Sequence, residues 1–332
     1  MAMIYVFYQG QEGTPDDGQM FYQRFDGETW YGIQRVEPSG QPIGMSYAPS
    51  PVVWNGGLLQ VFHQGLREDG HLWSTWTKDG LLGQNWAPEQ QPVPNVGMSF
   101  SPATVVFNDK LYVFHPGSHE SGELWYTVAD GTGWSQDQMI ISGGNAGLPG
   151  PGICQSPSAV VWNDVIYVFF QNGSGGGEIG NPGYGGLFFV ASTDGKTWEN
   201  VDNNHQPTRQ LTNVGMSFSP SAVVWSNMIH VFHDGYQQDG QLWYSYHDGQ
   251  NWQPDQQVPG VIISNPGDSE VALGGVAPMS PSAVVYNNNC YVFYLNAQSN
   301  LSYKFANGTS WSNEAVVPDV PPDCGYAGCV VF

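Results

Sequence analysis

Positive charge is nearly absent from this chain. Eight Lys+Arg stand against 29 Asp+Glu in 332 residues, a net charge of −21. Nucleic-acid binding rests on clustered cations that release counterions, and so few scattered ones cannot supply it. The same shortage removes attraction to an anionic membrane surface. No apolar run approaches the ~20 residues of a membrane span, so neither nucleic acid nor membrane insertion is expected. Cysteine is scarce as well: Cys154, Cys290, Cys324 and Cys329 are too irregularly spaced for a disulfide framework. No zinc spacing, dense calcium loop, phosphate loop or nucleophile motif is visible, so no cofactor and no metal is expected. Residues 1–7 lack a basic region and a cleavage site, which predicts a cytoplasmic protein, or one released without a signal peptide.

What the chain has is aromatic residues, 14 % of the total, together with 43 Gly and 24 Pro. Much of this content is repetitive. Ser101-Pro102-Ala103-Thr104-Val105-Val106-Phe107 recurs as Ser156-Pro157-Ser158-Ala159-Val160-Val161-Trp162, and again from Ser219 and from Ser280. A looser copy begins at Ala48. The marker prolines at 49, 102, 157, 220 and 281 are 53, 55, 63 and 61 residues apart. Behind each copy comes a short turn and a second β-rich run, such as Tyr112-Val113-Phe114-His115, and then a third, such as Leu124-Trp125-Tyr126. The third run ends in Asp-Gly or Asn-Gly with a Trp just beyond, as in Asp130-Gly131…Trp134 and Asn307-Gly308…Trp311. These dipeptides favour hairpin turns because Gly accepts positive φ. A less regular fourth run completes the unit.

Four short antiparallel strands in each repeat of about 45–60 residues predict a β-propeller blade. The chain starts inside a unit, at a second strand (4–8). It finishes with Tyr326-Ala327-Gly328-Cys329-Val330-Val331-Phe332, a match to a first strand. One blade is therefore expected to form from both termini, closing the ring and leaving no sheet edge open. The expected fold is all-β: a single six-bladed β-propeller domain over 1–332. Its blades would be 320–332 plus 1–44, then 45–97, 98–152, 153–214, 215–275 and 276–319.

In such a ring the Asp-Gly turns fall on one face, and the Trp beyond each is expected to pack between blades. The opposite face carries a second recurring set. His63 … Glu68-Asp69 … Trp73, His115 … Glu120 … Trp125 and His233 … Asp239 … Trp243 all keep ten residues from His to Trp. A hairpin of constant length would thus present an imidazole, an acid and an indole. The first blade offers Tyr8 and Asp17 on a longer loop. The fourth has a Gly-rich insertion at 173–186. An indole stacks on the C–H face of a pyranose, while carboxylates and imidazoles pair with its hydroxyls, so these residues are the candidate sugar-binding set. The start of each inner strand, Met45-Ser46, Met98-Ser99, Ile153-Cys154, Met216-Ser217, Ala277-Pro278 and Asp323-Cys324, is expected to form an apolar plug on the axis, with Cys154 and Cys324 opposite each other.

The blade from Ser219 through Gly240-Gln241-Leu242-Trp243-Tyr244 to Asp248-Gly249-Gln250-Asn251-Trp252 resembles those of the fucose-binding β-propeller lectins, of bacterial Photorhabdus type and of fungi. The resemblance spans the whole chain as a repeat pattern and rests on scaffold residues. It implies multivalent carbohydrate binding between adjacent blades, with glycans as partners. Fungal members commonly use an Arg in each site. This chain has only Arg24, Arg35, Arg67 and Arg209, too few for six such sites, so the ligand expected is a neutral sugar, fucose-like as the resemblance implies. Two other functions fit the sequence. One is a glycoside hydrolase or lyase with an axial pocket, drawing its acids from Glu68, Asp69, Glu120, Asp239 and Asp323. The other is a protein-interaction platform.

Overall fold

The computed structural model describes every residue except 1, 12, 80–84, 95, 144–151, 173–184, 206–207, 237, 264–279 and 323. Its regular structure is β, apart from single 3-10 turns at Pro38–Gly40 and Ser118–Glu120. The first meander, in the order β22-β1-β2-β3, joins β22 (Gly325–Val331) to β1 (Ile4–Gln9), β2 (Met20–Phe25) and β3 (Trp30–Arg35). Both ends of the chain thus share one sheet, in register from Ile4↔Val331 to Tyr8↔Ala327.

The second meander contains β4 (Met45–Trp54), β5 (Leu58–Gly65) and β6 (Leu72–Thr77). Here the expected fourth strand is missing. Pro88, Pro92 and Pro94 interrupt the segment and cannot donate to a ladder, so among the described residues it pairs through the isolated bridges Ser74↔Gln90 and His71↔Gly97. The third is regular: β7 (Ala103–Phe107), β8 (Lys110–Pro116), β9 (Leu124–Ala129) and β10 (Gln138–Ile141).

A seven-stranded sheet follows, with β11 (Ser158–Trp162), β12 (Val165–Asn172), β13 (Gly185–Ser192), β14 (Gln210–Trp225), β15 (Met228–Gly235), β16 (Gln241–His247) and β17 (Gln256–Ile262). It is two meanders sharing the 16-residue β14, whose first part pairs with β13 and whose second part pairs with β15. The last meander holds β18 (Ser282–Tyr286), β19 (Asn289–Leu295), β20 (Leu301–Ala306) and β21 (Ala315–Val316).

The innermost strands touch in cyclic order, β22 to β4, β7, β11, β14, β18 and back to β22. The apolar core is correspondingly divided into clusters, each shared by two neighbouring meanders. The Trp after each Asp-Gly or Asn-Gly turn fills these seams by packing edge-on against the preceding meander. Trp198 meets Phe114, Trp252 meets Phe169 and Trp311 meets Phe232 at 5.5, 5.6 and 6.1 Å between ring centroids. The turn itself is held by the side chain of its first residue: Asp194 Oδ1 accepts the backbone N–H groups of Lys196 and Thr197. Those bonds draw the Asp194 carboxyl down to about 2.

Candidate functional site

The Ser-Pro-Ser-Ala tracts that reveal the repeat line the axis. The backbone N–H of Ser101 donates to Ser156 Oγ (2.9 Å), that of Ser156 to Ser219 Oγ (3.0 Å) and that of Ser219 to Ser280 Oγ (3.1 Å). One layer along, Ala222 N–H donates to Ser158 Oγ and Ala283 N–H to Ser221 Oγ. Each tract therefore bonds its neighbour. Proline suits the position between because an axis-facing strand edge gains from having no N–H to satisfy.

The plug expected on the axis is elsewhere. Met45, Met98, Ile153 and Met216 are buried in the seams between meanders, as is Cys324. In β4 and β14 a bulge of two extra residues separates Met45 and Met216 from the tract that reaches the axis and re-aims the strand between them. Their neighbours Ser46, Ser99 and Ser217 pin the hairpins instead. Each hydroxyl accepts the N–H of Glu68, Glu120 or Gln238, all at 2.9 Å. Those three residues have φ of 53°, 52° and 53°, a left-handed conformation that a side-chain anchor helps to hold. Ala277-Pro278, Asp323 and nearly all of the 173–186 insertion lie outside the described residues.

On the hairpins the structure divides the candidate residues. His63, His115 and His233 are 0 % exposed, so the expected presentation of an imidazole at the surface is not met. Each Nδ1 donates to the backbone carbonyl of the next residue, Gln64, Pro116 or Asp234. Each Nε2 faces a carboxylate oxygen: Glu89 at 3.0 Å, Asp137 at 3.0 Å and Asp255 at 3.1 Å. The last two are aligned hydrogen bonds, whereas the Glu89 contact is an ion-pair distance without hydrogen-bond alignment. Since Nδ1 donates to its carbonyl, Nε2 is the ring atom left to meet the carboxylate, in an aligned hydrogen bond at His115 and His233. These acids sit three residues after the seam Trp, at Trp86/Glu89, Trp134/Asp137 and Trp252/Asp255. Tyr294 makes the same contact with Glu314, its hydroxyl donating over 2.9 Å. In the fourth meander the pair becomes Phe170 and Val201, both in one apolar cluster. Tyr8, 1 % exposed, is also buried, with Ile33 packed against its cluster.

The acids and indoles, by contrast, meet at the surface. Trp73 Nε1 donates to Asp69 Oδ2 at 2.8 Å and Trp243 Nε1 to Asp239 Oδ2 at 2.9 Å. In the third meander the partner is Glu123, not Glu120: Trp125 Nε1 donates to Glu123 Oε2 at 2.9 Å. Sequence spacing missed Glu123 because Glu120 occupies a left-handed turn position, while Glu123 enters β9 two residues before its Trp. The three indoles are half-buried; Asp69 and Asp239 are exposed, as are Glu68, Glu120 and Asp17.

Glycine makes room for the pair. A Cβ at Gly65 would lie 2.2 Å from Asp69 Oδ2, one at Gly235 2.2 Å from Asp239 Oδ1, and one at Gly117 2.8 Å from Glu123 Oε2. The recurring unit is thus His-x-Gly…acid…Trp, in which the Gly seats the carboxylate. The residue between His and Gly bonds to the next meander where it is Gln: Gln64 Nε2 donates to the carbonyl of Met98 (2.9 Å), and Gln9 does the same to Met45 (3.0 Å). In the fifth meander this residue is Asp234. Burial, then the nearby Asp239 carboxylate, pushes it up to about 8.

The axial cavity measures about 180 Å³, and no Asp, Glu, Lys or Arg lines it among the described residues. Its walls are the six inner tracts, and Tyr47, Phe100, Gln155 and Phe218 stand with them.

No family model and no curated protein matches the sequence. Solved structures do match its fold. The fungal Aleuria aurantia lectin, described as a six-bladed β-propeller with a fucose recognition mode, is 18 % identical. The match covers 92 % of this chain and 89 % of that one at a TM-score of 0.59. The BP39L lectin of Burkholderia pseudomallei is 17 % identical over 94 % and 84 % of the two chains, with a TM-score of 0.56. An ulvan lyase is 14 % identical over 95 % and 80 %, with a TM-score of 0.50. At these identities the likeness is one of architecture: this chain is an all-β protein with the β-propeller fold of those lectins.

Proposed function

We propose that this chain is a multivalent carbohydrate-binding protein, a six-bladed propeller closed by β22, whose partners are glycans. The observation that carries the reading is the surface indole–carboxylate pair, built three times with Nε1···O distances of 2.8, 2.9 and 2.9 Å. Each carboxylate accepts from the indole and from one further donor, the backbone N–H of His71 for Asp69, that of Gln241 for Asp239 and the Ser121 hydroxyl for Glu123. It keeps lone pairs for sugar hydroxyls, while each indole offers a face for C–H stacking. The sites are Asp69/Trp73, Glu123/Trp125 and Asp239/Trp243. His63, His115 and His233 flank them on the axis side as direct cross-strand partners of the three Trp. The scarcity of cations favours a neutral sugar. Fucose is a first choice on the described recognition mode of the Aleuria lectin.

The enzymatic reading finds less support. A hydrolase needs two carboxylates across one bond, whereas Asp69 and Asp239 belong to separate hairpins and the axial cavity has no described carboxylate.

A glycan array with the Trp73→Ala/Trp125→Ala/Trp243→Ala variant tests the sites. Loss of binding is expected, and undiminished binding overturns the assignment. In the same assay Glu123→Ala should weaken its site about tenfold, the value of one charged hydrogen bond, and Glu120→Ala should leave it unchanged.

A further inference from the structure

The axis holds a second kind of polar surface, separate from the hairpins. Ser156, Ser219 and Ser280 each accept one backbone N–H from a neighbouring tract, and so do Ser158 and Ser221. A hydroxyl that accepts one bond still has its own hydrogen to donate and a further lone pair. No described acceptor takes the hydrogen of any of these five, and all five residues line the axial cavity. The competing donors have been removed: the N–H groups of Ser101, Ser156, Ser219, Ala222 and Ala283 are consumed by the serines themselves, and the prolines have none. What faces the cavity is therefore a set of convergent O–H donors beside strand-edge carbonyls.

The rim adds apolar faces. Tyr47, Phe100 and Phe218 line the cavity with φ of 62°, 57° and 62°. The Tyr47 and Phe100 rings meet edge-to-face with centroids 5.4 Å apart. Among the described residues no charged side chain lines the cavity, so it favours a neutral ligand over an ion. Its roughly 180 Å³ far exceeds the ~10–15 Å³ that admits one water.

We propose that the axial cavity is a separate binding site for one small neutral polyol, no larger than a single sugar ring. The serine hydroxyls donate to ligand oxygens, the strand-edge carbonyls accept from ligand hydroxyls, and the aromatic rim covers the C–H face. The site does not depend on the hairpin pairs, and one molecule binds per chain.

The test uses the Trp73→Ala/Trp125→Ala/Trp243→Ala protein, in which the hairpin sites are removed. Calorimetric titration with myo-inositol, glycerol and methyl α-L-fucoside should find one site per chain for at least one of the three. Gln155→Trp, which narrows the mouth without removing a described hydrogen bond, should weaken that site at least about tenfold, the effect of losing one good contact. Ser158→Ala, which enlarges the cavity, should weaken it more modestly, and crystals soaked in the same polyol should show it on the axis. The inference is overturned if the triple variant binds none of the three in solution. It is equally overturned if Gln155→Trp leaves binding unchanged, or if density appears only in soaked crystals. Failure of the hairpin reading has a different signature: the triple variant would retain all the binding capacity of the unmodified protein.

Discussion

Replacing His115 by Phe imposes on the third meander half of the pair found in the fourth. In the native protein His115 Nε2 lies 3.0 Å from Asp137 Oδ1, with the imidazole fully buried and the carboxylate 25 % exposed. Removing the imidazole strands a mostly buried carboxylate. Breaking a buried pair costs about 3–5 kcal/mol, and the quarter of Asp137 that reaches water reduces this to about 2–3 kcal/mol. Asp137→Val alone leaves Nε2 unpaired and should cost about 1–3 kcal/mol. The double variant His115→Phe/Asp137→Val has neither orphan and reproduces Phe170 with Val201, which already share an apolar cluster in this protein. It should therefore lie within about 1 kcal/mol of wild type, since well-packed apolar replacement of a buried ion pair is often neutral. Urea unfolding followed by Trp fluorescence measures all four proteins, with the midpoint read at unchanged slope. A double variant as unstable as the sum of the two singles would refute the argument that this pair is a positional device. The Glu123–Trp125 pair is left in place, so sugar affinity should change less than about threefold if packing is kept.

Two further outcomes follow from the site's geometry. Gly235→Ala would put a Cβ 2.2 Å from Asp239 Oδ1 and displace the carboxylate from Trp243. Binding stoichiometry should fall by one site while the unfolding midpoint shifts by less than about 1 kcal/mol; unchanged stoichiometry would show that the carboxylate is not a ligand. Asp234 titrates near 8 when folded, far above the ordinary carboxylate range. The folded protein therefore binds this proton more tightly than the unfolded chain. The resulting stability is complete below about pH 4 and is lost as the pH rises through about 8. Asp234→Asn removes that slope and should exceed wild type by at least about 1 kcal/mol at pH 9 while matching it near pH 4. Parallel thermal melting curves at both pH values would contradict the assignment.

The repeat was legible because every blade solves the same local problems with the same residues. Asp-Gly turns need positive φ, and Asp194 and its counterparts accept the N–H groups of the turn. Seam Trp residues fill equal gaps, and the Ser-Pro-Ser-Ala tracts bond one another around the axis. Such constraints act within one strand pair or between equivalent positions of adjacent repeats, so they print themselves on the sequence at a fixed period. The missing fourth strand of the second meander was legible too, in Pro88, Pro92 and Pro94, but only to a reading that weighed donors strand by strand. The buried histidines also left a trace. Their acids follow each seam Trp by three residues and become Val201 where His becomes Phe170, a covariation inside one chain.

Fold class and the pairing of the C-terminal segment with the N-terminal strands followed from the sequence alone, because periodicity and turn chemistry are local. Only the tertiary structure decided what the hairpin residues do. Spacing placed His, acid and Trp on one hairpin, but not which of them reaches water. That depends on the strand each occupies: His115 and Trp125 are direct cross-strand partners on one face of the sheet, but β8 lies one strand nearer the axis than β9, so His115 is buried and Trp125 only half-buried. The left-handed turn, in addition, moves the pairing acid from Glu120 to Glu123. The Met residues lie in the seams and the serine tracts on the axis because a bulge separates them: two extra residues in β4 and in β14, where Tyr47 and Phe218 take left-handed φ, re-aim the strand. The shortage of cations, present from the first line of composition, has its structural counterpart in an axial cavity that no charged side chain lines among the described residues.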